Sequence, residues 1–136
     1  MPNRVQWESD FGVGHELIDA QHRGLLSQCN LLAEHCLTSG SEEDDRQFDQ
    51  AIDRFKALTR EHFETESSLL ASGGYPELED HRVEFDEFDF LAAEIATTEN
   101  FDRLELQRFL ALWCLGHIRG TAEQQRAFLA GGSAPA

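Results

Sequence analysis

Four stretches of helical periodicity in this chain each carry one histidine on their apolar stripe, and that repetition limits what it can fold into. In the first stretch, from about Glu16 to Thr38, the stripe is Ile18, His22, Leu25, Cys29, Leu32 and Cys36. The second is opened by Ser41 as a cap, with Glu42, Glu43 and Asp44 in the first turn, where the helix dipole favours acids. Its stripe is Ile52, Phe55, Thr59, His62, Glu66 and Leu69. The third, from Pro76 to about Thr97, gives Leu78, His81, Phe85, Phe88, Ala92 and Ile95. The fourth, capped by Asn100 and running to about Ala130, gives Leu106, Leu110, Trp113, His117 and Gln124. Steps of three and four place each set on one face of an α-helix.

Ser39-Gly40, Ser72-Gly73-Gly74 and Gly131-Gly132 are helix-stop signals. The breaks are short and strand-type alternation is missing. The expected fold is therefore all-α, an antiparallel up-down-up-down four-helix bundle. One domain is expected over the 136 residues, with an N-terminal arm over 1–15 and the bundle over about 16–130.

A bundle interior that holds four imidazoles and Glu66 is costly. An unpaired buried polar group costs roughly 1–3 kcal/mol, and an unpaired carboxylate more, against a typical stability of about 5–15 kcal/mol. A lone histidine on an apolar face is ordinarily a hydrogen-bonded core residue, but four of them with a glutamate call for a common partner. A divalent cation is one, because neutral imidazole nitrogens and a carboxylate are good donors for iron, manganese or zinc. His62 and Glu66 are the most specific local pair, since positions i and i+4 share a helical face.

Charge excludes other classes. Against 26 Asp and Glu stand 11 Lys and Arg, a formal charge of −15. Nucleic acid is not expected as a partner, because phosphate neutralisation needs basic clusters, and an anionic membrane surface is disfavoured on the same ground. No apolar run approaches the roughly 20 residues of a membrane span, and the amino end lacks a signal-type apolar region, so a cytoplasmic location is expected. Cys29, Cys36 and Cys114 are an odd set, read as core thiols; Cys29 and Cys36, seven positions apart, would be separated by about 10 Å of helical rise.

The motifs Trp7, Val13-Gly14, Ile18-Asp19-Ala20-Gln21-His22, His62-Phe63-Glu64-Thr65-Glu66, Tyr75-Pro76 with His81, and Trp113-Cys114-Leu115-Gly116-His117-Ile118 together resemble the hemerythrin family, specifically its bacterial single-domain type. The resemblance spans most of the chain. It implies a non-haem di-iron centre with five histidines, a bridging glutamate and a bridging aspartate, and reversible dioxygen binding at one iron. Carried over, His22 and His62 would serve one iron, His81 and His117 the other, and Glu66 would bridge. Two positions depart: the family's second histidine on the third helix is Phe85, and its bridging aspartate is Ala122.

One position thus keeps His22, His62 and Glu66, a minimal set for mononuclear non-haem iron. The other keeps His81, His117 and a share of Glu66, so its metal is expected to be weaker, more open to water, or absent. Glu84, three residues after His81, is long enough to reach inward but is read as a solvated acid. Glu123, beside the lost aspartate, is turned away by roughly 100° on an ideal helix. His15 and His35 are read as surface or helix-end residues. Trp113 is expected to pack over the site, with Phe85, Phe88 and Leu110 as a dry wall.

The functional expectation is an iron-binding protein for dioxygen binding, storage or sensing, with dioxygen, another small diatomic or peroxide as its ligand; an enzymatic role is left open. The alternatives are an iron-dependent oxidase or peroxidase that uses the open positions, or a degenerate bundle acting as a structural or interaction module.

Overall fold

In the computed structural model, which describes residues 2–37, 41–97 and 102–130, the helices are α1 (Glu16–Leu37), α2 (Glu42–Ser72), α3 (Leu78–Ala96), α4 (Arg103–Gln124) and a short α5 (Arg126–Ala130). There is no strand among the described residues. The cross-helix contacts run in opposite senses. Gln21 Nε2 donates to Thr65 Oγ1 at 3.2 Å and Gln28 Nε2 to the Ala51 carbonyl at 3.0 Å, so α2 numbers fall as α1 numbers rise. The ring pairs Phe63–Phe85 and Phe55–Phe88 order α2 against α3 in the same way, as Glu84–His117 and Phe88–Trp113 order α3 against α4. Helix α1 packs on α2 and α4, and α3 packs on the same two. The expected antiparallel four-helix bundle is what forms.

Local chemistry explains the helix ends. Ser41 Oγ accepts from the Asp44 amide at 3.0 Å, above an acidic first turn of Glu42, Glu43, Asp44 and Asp45. At the other end of α2, Gly74 adopts φ 72° while its amide bonds the Ala71 carbonyl and the Tyr75 amide bonds that of Leu70. This Schellman turn brings Tyr75 onto Leu70, and glycine supplies the left-handed residue it requires. The turn also shortens α3 relative to expectation: Pro76 and Glu77 complete the crossing, and the helix starts at Leu78.

Helix α4 is capped by Asp102, whose carboxylate accepts from the Leu104 amide at 2.9 Å. The expected cap Asn100, the stop at Thr38, Ser39 and Gly40, and the Gly131-Gly132 pair lie outside the described residues. Helix α4 does not continue to Ala130. It breaks at Gln125, and α5 turns Phe128 edge-on to Tyr75 at 5.0 Å while Arg126 donates to the carbonyls of Gly12 (3.0 Å) and Asp10 (2.8 Å). These contacts on the bundle end explain the break. The buried stripe of α4 is Leu106, Leu110, Cys114, His117 and Thr121 with Gln107, Ala111 and Ile118 beside it; Gln124 faces solvent and Trp113 is half-buried. On α2, Leu70 is the fully buried leucine and Leu69 only partly so.

The arm before α1 lies against α1 and α4, held by two side-chain amides. Asn30 accepts from the Val5 amide at 2.9 Å and donates to the Val5 carbonyl at 2.8 Å. Gln107, fully buried, does the same for Asn3 at 2.7 and 2.6 Å and also donates to the Cys29 carbonyl at 3.2 Å. The apolar core is divided in two: a large cluster around Leu25, Leu32, Phe55, Phe88 and Leu110, and a smaller end cluster of Val13, Ile18, Leu70, Tyr75, Ala122 and Leu129. The histidines lie between them along each of α1 to α4. No described helix is long and apolar enough to cross a membrane.

Gln107→Leu leaves the backbone groups of Asn3 and Cys29 without their partners. It is expected to lower stability by about 1–3 kcal/mol in urea unfolding and to speed tryptic cleavage after Arg4 in the folded protein. Unchanged stability with an unchanged cleavage rate would show that the amide does not anchor the arm.

Candidate metal centre

His22 is placed by α1, His62 and Glu66 by α2, His81 by α3 and His117 by α4, and none of the five is more than 3% exposed. Their inward atoms converge. His62 Nε2 stands 3.0 Å from His22 Nε2, 3.0 Å from His117 Nε2 and 2.6 Å from Glu66 Oε2. Glu66 Oε2 is in turn 3.5 Å from His22 Nε2 and 3.6 Å from His117 Nε2. The donor atoms of these four residues all lie within 4.8 Å of one another.

Protons alone do not account for this crowding. A ring nitrogen has one site, a proton or a lone pair, and His62 Nε2 has three polar neighbours. Glu66 Oε2 has no hydrogen-bond partner of acceptable geometry despite its neighbours, and His22 Nδ1 is buried without one. Donors about 2.1 Å from one ion and at right angles stand about 3 Å apart, the spacing between the imidazoles here. The residues therefore fit a cation.

The outer nitrogens support the same fit. His62 Nδ1 meets Gln21 Oε1 at 2.9 Å and His117 Nδ1 meets Glu84 Oε2 at 2.7 Å. An N–H donated outward leaves Nε2 with a bare lone pair, the tautomer a metal needs. His81 stands apart: its Nε2 is 2.7 Å from the other carboxylate oxygen, Glu66 Oε1, and its Nδ1 is 3.1 Å from Ser67 Oγ. Thr121 Oγ1 also donates to Oε1, at 3.4 Å. Glu66 thus faces two ways, with Oε2 toward His62, His22 and His117 and Oε1 toward His81 and Thr121.

The expected pairing of histidines changes. His117 groups with His22 and His62, not with His81. Its orientation follows from Glu84, which pulls on Nδ1 from α3, and from Trp113 one turn earlier, stacked on it at 5.4 Å with 2° between the planes. Glu84 is accordingly no free solvated acid, and it contacts the outer nitrogen rather than the converging atoms. Glu123 is exposed, as expected. Phe85 packs on Phe63 at 5.1 Å, and Ala122 belongs to the apolar end cluster, so among the described residues no donor stands at either position where the resemblance implies a ligand. His15 sits at the start of α1, where its Nδ1 accepts from the Ile18 amide at 3.4 Å, and His35 is half-buried in the last turn of α1.

Phe63 is the main wall residue that sequence reasoning underused. Its ring lies 4.7 Å from His117, 5.0 Å from His81 and 5.8 Å from both His62 and Trp113. The signal was available, since Phe63 is four residues from Thr59 and three from Glu66 on the same face. Gln21 had no such signal, because its role depends on which way the His62 ring turns.

Without metal, the charges distribute unevenly. Burial opposes ionisation of Glu66, yet the charge and hydrogen bonds of His117, with those of His22 and His62, hold its carboxyl well below the usual range. Burial pushes His62 down to about 4 and also lowers His22. For His117 burial is overcome by Glu66 and Glu84, which raise it to about 10.

The direction of the pH effect follows. Between pH 6.5 and about 4 the unfolded chain takes up protons that folded His62 and His22 refuse, so stability falls with falling pH. The contribution of His117 is full below its unfolded value of 6.5 and is lost as pH rises through about 10. Metal-free protein is thus expected to be most stable near neutrality. His117→Gln should flatten the alkaline side, as read by urea midpoints from pH 4 to 10, and an unchanged alkaline slope would contradict the assignment.

Comparison with known proteins identifies the family. The Hemerythrin HHE cation binding domain family matches residues 13–124. The chain is 28% identical to a bacteriohemerythrin of Stenotrophomonas maltophilia, covering 90% of this chain and 82% of that protein. It is 30% identical to a bacteriohemerythrin of Clostridium acetobutylicum (82% and 91% covered) and 22% identical to the myohemerythrin of Theromyzon tessulatum (89% and 90% covered). No solved structure matches. A match over most of the bundle, with buried histidines and a glutamate gathered from its helices, makes this chain a member of the hemerythrin family and a hemerythrin-like iron-binding protein.

Proposed function

We propose that the chain holds one iron tightly at His22, His62, His117 and Glu66 Oε2, holds a second weakly at His81 and Glu66 Oε1, and uses the open coordination positions to bind dioxygen for storage or sensing. The observation that carries this reading is the convergence of three Nε2 atoms and one carboxylate oxygen, with two of the outer nitrogens tied to Gln21 and Glu84. Four donors leave about two positions of a six-coordinate iron free. Bound iron would supply redox and Lewis-acid chemistry toward a small oxygen ligand, and the protein's residues would do the rest. Phe63, Trp113 and Phe85 keep the site dry, Glu84 and Gln21 orient their imidazoles, and Thr121 steadies Glu66. The second position has too few donors to retain a metal against chelation, because Phe85 and Ala122 contribute none.

Metal analysis after anaerobic ferrous loading and dialysis against a weak chelator is expected to give one iron per chain, and air is then expected to produce new near-ultraviolet and visible absorption. No retained iron, or retained iron with no spectral change in air, would overturn the reading. The double change Phe85→His with Ala122→Asp is expected to raise retention to two. Glu84→Gln should weaken the tight iron by about 10–100-fold, the usual effect of losing such an outer partner, and unaltered retention would remove Glu84 from the site.

A further inference from the structure

Two of the three cysteines expected as core thiols meet inside the bundle. Cys29 of α1 and Cys114 of α4, 85 positions apart in sequence, have their Sγ atoms 3.5 Å apart, and both are fully buried. Cys114 is three residues before His117 and Cys29 seven after His22, so the pair lies one layer into the larger apolar cluster from the histidines. A disulfide needs Cα atoms about 4.4–6.8 Å apart, within reach of facing positions on helices packed about 8–10 Å axis to axis. Cys36, half-buried and about 10 Å of rise further along α1, is not part of the pair.

We propose that Cys29 and Cys114 are a redox dithiol that closes to a disulfide by reducing a hydroperoxide at the metal centre. The proposal rests on the iron reading above. The step balances: the O–O bond breaks, the S–S bond forms, and the two thiols give up two electrons. Their two protons go to the two oxygens, releasing one water and one alcohol, or two waters from hydrogen peroxide. Burial raises the Cys114 thiol well above its usual range, which shields the pair from oxidants in solvent. The iron site one layer away is then where an oxidant meets it. Closure would tie α1 to α4, the helices that carry His22 and His117, and restrain the unfolded chain between the two cysteines.

The test uses the full chain with Cys36→Ser, which removes intermolecular pairing. Folded protein, iron-loaded or metal-free, is treated with hydrogen peroxide, quenched, unfolded, alkylated and weighed intact. Iron-loaded protein is expected to lose both alkylatable thiols and about 2 Da, reversibly with dithiothreitol, and metal-free protein to react far more slowly. A further Cys29→Ser change should abolish the 2 Da loss. Two persistent thiols, or a mass gain from added oxygen, would overturn the dithiol, and equal rates with and without iron would overturn its link to the metal centre. Diamide on metal-free protein reads the dithiol geometry alone. If the chain binds no iron, the proposed function fails and the peroxide step with it, whereas closure by diamide still supports the pair.

Discussion

One carboxylate governs the interior of this protein. Glu66 is fully buried at the middle of a helical bundle, where an isolated charge is intolerable. Its environment answers that cost with five groups: His62 on its own helix, His22, His117 and His81 from α1, α4 and α3, and the hydroxyl of Thr121. Each helix must therefore stand at the right height and rotation to present one side chain to it. The register of the bundle and the geometry of the site are the same constraint seen twice.

That polar layer interrupts the apolar core instead of sitting at its edge. Phe55, Phe88 and Leu110 belong to the cluster on one side, Ile18, Leu70 and Ala122 to the one on the other, and the smaller cluster is closed by the Schellman turn at Gly74 and by α5. The break at Gln125 serves that closure, since it brings Phe128 onto Tyr75 and lets Arg126 hold the carbonyls of the arm. A polar layer enclosed between two apolar ones has little access to water, which strengthens every electrostatic contact inside it. The same enclosure explains why His62 is held neutral while His117, flanked by two carboxylates, is held charged in the absence of metal.

The two departures from the family pattern act on one half of the site. Phe85 and Ala122, where the resemblance would set donors, present apolar surface and are absorbed by packing: Phe85 against Phe63 and Phe88, Ala122 in the end cluster. The other half is reinforced, because His117 joins His22 and His62 and is oriented by Glu84 and Trp113. A centre of this kind is asymmetric by construction, with donors concentrated around one carboxylate oxygen and a single histidine at the other.

Helical periodicity made most of the fold legible, because the interval between apolar residues reports which face is buried. The four helices and the buried status of His22, His62, Glu66, His81 and His117 follow from spacing within single helices, the Ser41 cap from residue type at a helix start, and the antiparallel order from the short connections. Spacing does not determine a residue's fate where that fate depends on another element. Gln124 falls on the stripe by spacing yet is exposed in the last turn of α4, and Glu84, a solvated acid by spacing, meets the His117 ring that α4 brings to it. The same holds for the grouping of His117 with His22, the tie of Gln21 to His62, and the meeting of Cys29 with Cys114. Spacing along a helix selects which residues point inward; the relative height and rotation of packed helices selects which of them touch, and no local pattern encodes that.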